Sequence, residues 1–326
     1  MTKYDSMNRR RLLTSLASAS TVSLLADRIA DAATKPVSDK KTSDSNEKKT
    51  EARNQQPKGR LHSARIDTNV TLFKWPFRNL PLDSTETLQT KLIALGISQA
   101  WAGTFEGIFQ RDITSVNNRL SHRCKKYPFF VPMGSVNPSL PGWKKDLQRC
   151  VRQHRMSGIR LHPNYHSYSL ESTALKEIMK VAAAENIVVQ IATTMEDTRT
   201  QNRLVAVPDV NLTHLATILE KYTEVKIQLL NLRPKSEQVP FVEAAPNLYF
   251  DTCRIDATDG LKRFLERIPA SRVLYGSNAP LLIPEASMIR IYESNLPENA
   301  RKKILNENAK RLIGRDAESN LVEETE

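Results

Sequence analysis

The sequence is poor in the residues that mark several common functions. It has 3 cysteines, Cys124, Cys150 and Cys253, and no Cys-x-x-Cys spacing. Thiols so few and scattered make neither a disulfide framework nor a thiolate metal site, and they read as buried free cysteines. Only 10 glycines occur, and no Gly-rich loop follows any apolar run, so a dinucleotide or phosphate-cradling site is not expected. Aromatic residues make up 6% of the chain and do not interleave with a basic patch, which argues against a nucleic-acid groove. No run of about 18 apolar residues exists, so no integral membrane segment is expected.

What is present is charge, unevenly placed. The chain carries 48 Lys+Arg against 36 Asp+Glu over 326 residues, a formal +12. Residues 1–63 hold 13 basic and 7 acidic side chains, so +6 of that excess sits in the first fifth. There "MNRRRLLTSLASASTVSLLADRIADAAT" combines a basic start, a mildly apolar Ser/Thr/Ala-rich stretch and the small-x-small site Ala30-Asp31-Ala32. This is the three-part pattern of a signal peptide over residues 1–32. Asn8-Arg9-Arg10-Arg11-Leu12-Leu13 resembles a twin-arginine signal. It implies the export machinery as a partner and a periplasmic or extracytoplasmic destination. Residues 33–63 contain almost no large apolar side chain and read as a disordered linker. Residues 315–326, with Asp316, Glu318, Glu323, Glu324 and Glu326, read as a solvated acidic tail.

Between them, residues 64–314 alternate short apolar runs with amphipathic segments. The runs are 64–73, 97–103, 129–136, 158–163, 187–193, 225–231, 247–253 and 272–278. Their starts lie roughly 30 residues apart, the size of one strand-helix unit. In 257–268, Leu261, Phe264, Leu265 and Ile268 fall at helical spacing, and 297–313 is framed by Pro297 and Gly314. Eight such strands in about 250 residues predict a (β/α)₈ barrel of the TIM type. An open doubly wound sheet is the alternative.

A barrel places its chemistry at the C-terminal ends of its strands. The polar residues there are Asp67 and Asn69, Glu106, Asn137, His162, Asn164 and His166, then Glu196, Asp197 and Arg199. Asn231, Arg233, Asp251, Arg254 and Asn278 complete the set. Asp67, His162 and His166 are the candidate acid–base groups. For His162 and His166 the bland reading is a packed ring and an exposed one. Glu196, Asp197 and Arg199 read equally as a lid or as a solvated loop with a surface ion pair. Trp75 and Arg78 could stack on and pair with a planar or acidic substrate; alternatively Trp75 is a packing anchor.

The order of elements and several motifs resemble the amidohydrolase-related family, metal-dependent hydrolases and decarboxylases built on this barrel. "IDTNVTL" is similar to its Asp-x-His-x-His first strand, "GIRLHP" to its fourth, "RVLYGSNAPL" to its last and "NENAKRLIG" to its closing helix. In the family, histidines on strands one, five and six and an aspartate on the last strand hold a divalent metal. The resemblance puts Asn69, Thr71, Ala192, Asn231 and Asn278 at those positions. All are neutral, and zinc prefers thiolate, imidazole or carboxylate. No cofactor is therefore expected, beyond a weak hard-cation site helped by Asp67 or Asp251.

Two readings follow. In the first, the protein is an exported amidohydrolase-like enzyme without the usual metal, hydrolysing or lysing a small carbonyl, ester, lactone or amide substrate. Asp67 or His162 would move the proton. Asn69, Asn231 and Asn278 would hydrogen-bond a developing oxyanion, with Asp251, Glu196, Arg199, Trp75 and Arg78 around the substrate. In the second, the barrel is inactive and serves as an extracytoplasmic binding or scaffold domain. Self-association into a homo-oligomer is compatible with either.

Overall fold

Eight parallel strands, with helices in the described connections between them, are what the alternating pattern produces. They are β1 (Arg65–Leu72), β2 (Ile97–Thr104), β3 (Phe130–Ser135) and β4 (Gly158–Leu161), then β5 (Val188–Ala192), β6 (Lys226–Leu230), β7 (Leu248–Asp251) and β8 (Val273–Leu274). This computed structural model describes residues 64–233 and 245–314. All lie in the unit Gly59–Glu326. The expected signal peptide 1–32, linker 33–63 and tail 315–326 lie outside the described residues.

The strands pair in sequence order, β1 to β8, always in parallel. Hydrogen bonds then close the ring: Thr68 N–H donates to the Tyr275 carbonyl (2.9 Å), Asn278 N–H to Asn69 (2.8 Å) and Thr71 N–H to Ala279 (2.9 Å). The fold is the expected (β/α)₈ barrel. β8 is shorter than the predicted 272–278 because residues beyond Leu274 bond to β1 singly and irregularly. Nearly every strand residue is buried, as strands covered by helices on one side and packed on the other must be.

The helices begin where the sequence can cap them. Ser84, Asp112 and Ser172 accept the N–H groups of Thr87, Ser115 and Leu175 and start helices Thr85–Ala94, Ile113–Lys126 and Thr173–Ala184. The helix expected over 257–268 is confined to Gly260–Leu265, preceded by Asp259 in a left-handed conformation. The closing segment runs as Glu298–Lys302, a π turn at Lys303–Glu307, and Asn308–Ile313. Gly314 ends it at φ 60°, a conformation that suits glycine.

Inside the barrel the layers differ. At the base, Ile66, Trp101, Met133, Val188 and Leu274 pack against Ala309 and Leu312 of the closing helix. Above them lies a polar layer of Thr68, Arg160, Gln190 and Gln228. Gln190 Nε2 donates to the Thr68 carbonyl and to Gln228 Oε1 (both 2.8 Å), and Gln228 Nε2 donates to Thr68 Oγ1 (2.8 Å). Gly103 admits the Arg160 side chain: a Cβ there would stand 2.7 Å from Nη1.

Candidate functional site

The site begins with β1. A register shift between Asp67 and Val70 interrupts regular pairing with β2. Asp67 is fully buried. Its Oδ1 accepts the N–H groups of Asn69 (3.1 Å) and Ser277 (3.0 Å), while Oδ2 has no partner. Burial pushes its carboxyl up to about 7, against the hydrogen bonds from Ser277 and Asn69, and the nearby Asp251 adds to the rise. Asp251, at the end of β7, is likewise raised by burial, to about 6.

Asn69, Asn231 and Asp251 converge, and Cys253 joins them. Asn69 Nδ2 donates to Asn231 Oδ1 (2.8 Å) and Asp251 Oδ2 (2.5 Å). Asn231 donates its backbone N–H to Asp251 and its amide to the Thr194 carbonyl (2.6 Å). Cys253 Sγ donates to Asn231 Oδ1 (3.0 Å); burial holds the thiol well above its usual range, hence protonated. Gly276 makes room, since a Cβ there would lie 2.8 Å from that of Asp251. This differs from the oxyanion expectation for Asn69, whose two amide hydrogens are committed to protein acceptors. Asn231 and Asn278 also have a backbone reason to be asparagine, with φ of 62° and 55°, a left-handed region that asparagine tolerates better than most.

Asn278 is less committed. Its Nδ2 donates to the Met195 carbonyl at 3.4 Å, and its Oδ1 is buried without a partner. Arg254, also buried, donates to the same carbonyl through Nη2 (3.2 Å), and its Nε has no acceptor.

Arg160 crosses the upper barrel. Its Nε donates to Gln190 Oε1 (2.9 Å) and its Nη1 to the Val70 carbonyl (2.9 Å) and Thr71 Oγ1 (3.1 Å); Nη2 is buried without an acceptor. Burial lowers its pKa to about 10, with Asp251 and Asp67 acting the other way, so the guanidinium is charged at neutral pH.

His162 and His166 are both buried, with ring centroids 5.9 Å apart; the exposed reading of His166 does not hold. His166 Nε2 lies 3.1 Å from the Gly107 carbonyl, which fixes the proton on that nitrogen. Burial drives His166 down to about 4 and His162 well below its usual value. Both are neutral and weakly basic at pH 7. Asp67 therefore matches neutral-pH proton transfer better than either.

The remaining candidates lie elsewhere. Trp75 is buried, with Phe77, Phe105 and Phe109 edge-on around it at 5.1–5.6 Å. It belongs with Leu80, Ile108, Ala192 and Met195 in an apolar cluster drawn from the segments that follow β1, β2 and β5. It stands in a packed cluster rather than as an open face for stacking. Arg78 pairs with the buried Glu196, tying two of these segments. Arg199 lies on the surface, paired with Asp197 (2.8 Å), which Arg233 also reaches (2.9 Å). Glu106 pairs with Arg119 (2.8 Å).

Reading strand ends alone missed Arg160, Gln190 and Gln228. The available signal was period-two alternation: Arg160 stands two residues before His162, and each glutamine is a lone polar residue inside an apolar run.

A divalent metal fits this donor set poorly. Among the described residues, no group of three or more His, Cys, Asp or Glu side chains is placed to hold one. At the positions the resemblance points to, Asn69 and Asn231 bond each other, and Thr71 accepts from a guanidinium. A +2 ion about 5 Å from such a cation is repelled by on the order of 7 kcal/mol at an effective dielectric of 20. One free carboxylate oxygen, Asp67 Oδ2, does not replace a ligand set.

Comparison with known proteins agrees with this architecture. A dihydroxybenzoic acid decarboxylase from Polaromonas sp. JS666, solved with manganese and an inhibitor, superposes with a TM-score of 0.62 at 16% identity, over 79% of this chain and 99% of the other. A manganese-bound 5-carboxyvanillate decarboxylase from Novosphingobium aromaticivorans gives 0.59 at 14%, over 77% and 96%. An uncharacterised TIM-barrel protein from Bordetella bronchiseptica gives 0.60 at 19%, over 77% and 100%. No curated protein matches the sequence. Likeness at such identities carries the fold alone. The sequence itself goes further: the pattern describing amidohydrolases matches residues 93–315, well over half of the chain, which therefore belongs to the amidohydrolase family.

Proposed function

We propose that this protein is an exported amidohydrolase-family enzyme that acts on a small carbonyl compound without a divalent metal. The substrate is an ester, lactone, amide or carboxylic acid, and the reaction is hydrolysis or, as in the structural neighbours named as decarboxylases, lysis of a carbon–carbon bond. The observation that carries this reading is Asp67. Its Oδ1 is fixed by two backbone N–H groups, its Oδ2 is buried and free, and its pKa of about 7 lets it hold or release a proton at neutral pH. Asn278 and Arg254 add a hydrogen-bonding oxygen and a fixed positive charge near the strand ends. Export follows from the twin-arginine pattern in residues 1–32.

The test is a screen of esters, lactones, amides and carboxylic acids with the full chain, with and without chelator, alongside its metal content. Turnover unchanged by chelator and lost in Asp67→Asn supports the proposal. Stoichiometric metal, or activity that needs it, overturns the metal-independent part. The reading as an inactive binding barrel keeps one observation in its favour: Asn69, Asn231, Asp251 and Cys253 bond one another rather than face a ligand. It prevails if no substrate class turns over.

A further inference from the structure

We infer that helices Ile113–Lys126 and Trp143–Gln148, with the π turn Arg149–Gln153, form a basic face that holds the protein against an anionic lipid surface. Residues 64–314 contain 34 basic and 24 acidic side chains, while 111–155 alone contain 10 and 2. Most of the barrel's positive excess therefore sits on this one stretch. Nine of its 10 cations are exposed. Its two acids are engaged within the fold: Asp146 is buried and accepts from Thr114 Oγ1 (2.6 Å), and Asp112 caps the first helix. The two helices lie side by side, since Arg149 Nη1 donates to Thr114 Oγ1 (2.7 Å) near the start of the first. Toward their other ends they meet at His154, where burial, then the charges of Lys125 and Arg149, hold the imidazole below its usual range.

Three of the cations find carboxylates outside the stretch: Arg119 meets Glu106 (2.8 Å), Lys144 meets Glu177 (2.6 Å) and Arg152 meets Glu185 (3.2 Å). Lys125, Lys126, Lys145 and Arg149 pair with no carboxylate among the described residues. Helix ends explain part of the pattern, because Lys125 and Lys126 in a last turn suit the macrodipole. Lys144 stands in a first turn, and Arg111 precedes the cap Asp112, where the macrodipole disfavours them. Like charges gathered on one face also repel one another, and an external anion relieves that repulsion. The large apolar side chains exposed among the described residues, Ile93, Leu204, Ile283, Ile289 and Tyr292, all lie outside the stretch. Cations without an apolar wedge rest on a charged headgroup layer and do not insert into it. The aromatic residues of 111–155 are buried or half-buried, so none offers single-stranded bases a stacking platform. Lys125 and Lys126 lead into β3, and Arg152 and Arg155 into β4. The mouth is at the opposite ends of these strands, so a barrel held by this face keeps its mouth accessible. The inference stands apart from the enzyme reading.

The test is co-sedimentation of the full chain with vesicles of phosphatidylglycerol mixed into phosphatidylcholine, and with phosphatidylcholine alone. Binding is expected only to the anionic vesicles, and it should fall as salt rises. Residues 1–63 are basic as well, so three charge-matched variants locate the contact. The first combines Lys125→Gln, Lys126→Gln, Lys145→Gln and Arg149→Gln. The second combines Lys40→Gln, Lys41→Gln, Lys48→Gln and Lys49→Gln. The third changes exposed cations elsewhere on the barrel, Lys221→Gln, Lys262→Gln, Arg263→Gln and Lys310→Gln. Each cation removed from a membrane contact weakens binding about fivefold. The first variant should therefore lose on the order of a hundredfold, and the other two about fivefold or less. If its Tm falls, Lys125→Gln with Lys126→Gln alone replaces it, with an expected loss of about 25-fold. The lipid-binding face is overturned if wild type ignores anionic vesicles, if phosphatidylcholine alone binds as well, or if salt has no effect. It is also overturned if the three variants lose binding alike or the second loses most. Duplex DNA bound in place of vesicles, and released by the first variant, would make the partner a nucleic acid and overturn it too.

Discussion

The base and the upper part of the barrel are built from the same eight strands and follow opposite rules. At the base, Ile66, Trp101, Met133, Val188 and Leu274 meet the closing helix in an apolar layer. Higher up, Asp67, Asn278, Arg160 and Arg254 are buried with polar atoms that lack partners. Native interiors leave few such groups, each costing about 1–3 kcal/mol. A chain that tolerates four of them together, against the Trp101 N–H alone in the described base layer, separates stability from whatever the upper face does.

The sharpest way to break that contrast is at Trp101, which is fully buried. Trp101→Ala is expected to cost about 3–5 kcal/mol by transfer and cavity terms, read as a lower urea midpoint. Ligand binding per folded molecule should be unchanged. A variant that kept its stability but lost binding would show that the base is not passive.

The mirror experiment is Asp67→Asn. A carboxyl raised from 3.8 to about 7 holds its proton in the folded state. Its favourable contribution is complete below the unfolded pKa and disappears as pH rises through about 7. The variant should therefore gain stability relative to wild type between about pH 4 and pH 7, on the order of 4 kcal/mol in all, and then level off. The lowered pKa values of His162 and His166 act in the opposite sense over the acid part of this range. The difference between the two Tm–pH curves, rather than either curve alone, is thus the quantity to measure. A flat difference would mean that Asp67 ionises as if exposed.

How far this contrast was legible in the sequence differs between its halves. The eight strands and their order could be read because each is a short apolar run bounded by polar segments. Asp67, Asn69, Asn231, Asp251 and Asn278 could be read because they stand at strand ends. Arg160 could not be found that way, since its role depends on Gly103 across the barrel. Nor could sequence reveal that Asn69 spends its hydrogens on Asn231 and Asp251, residues 162 and 182 positions away. Trp75 fits both stacking and packing in sequence, and only its ring contacts decide between them.

A smaller test asks how firmly the segments above the barrel are tied down. Arg78 pairs with Glu196, whose side chain is 3% exposed, while that of Arg78 is 41% exposed. Removing the arginine leaves a buried carboxylate unpaired, but solvent on the Arg78 side screens the pair. Arg78→Ala is expected to cost about 1 kcal/mol and to speed local proteolysis near residues 73–83 without lowering the urea midpoint of the base. Equal loosening of both regions would mean they unfold as one unit.

The smallest effect is expected at Arg199. Its side chain is 84% exposed and is held by Asp197, two residues away in the same loop. Asp197 also has Arg233 at 2.9 Å, so deleting Arg199 does not leave the carboxylate alone. An exposed pair of this kind contributes little, and less again in salt. Arg199→Ala should therefore leave Tm unchanged within error at physiological ionic strength. Were it instead to lower Tm as far as Arg78→Ala does, the Asp197 loop would be held as firmly as the Arg78–Glu196 contact beneath it.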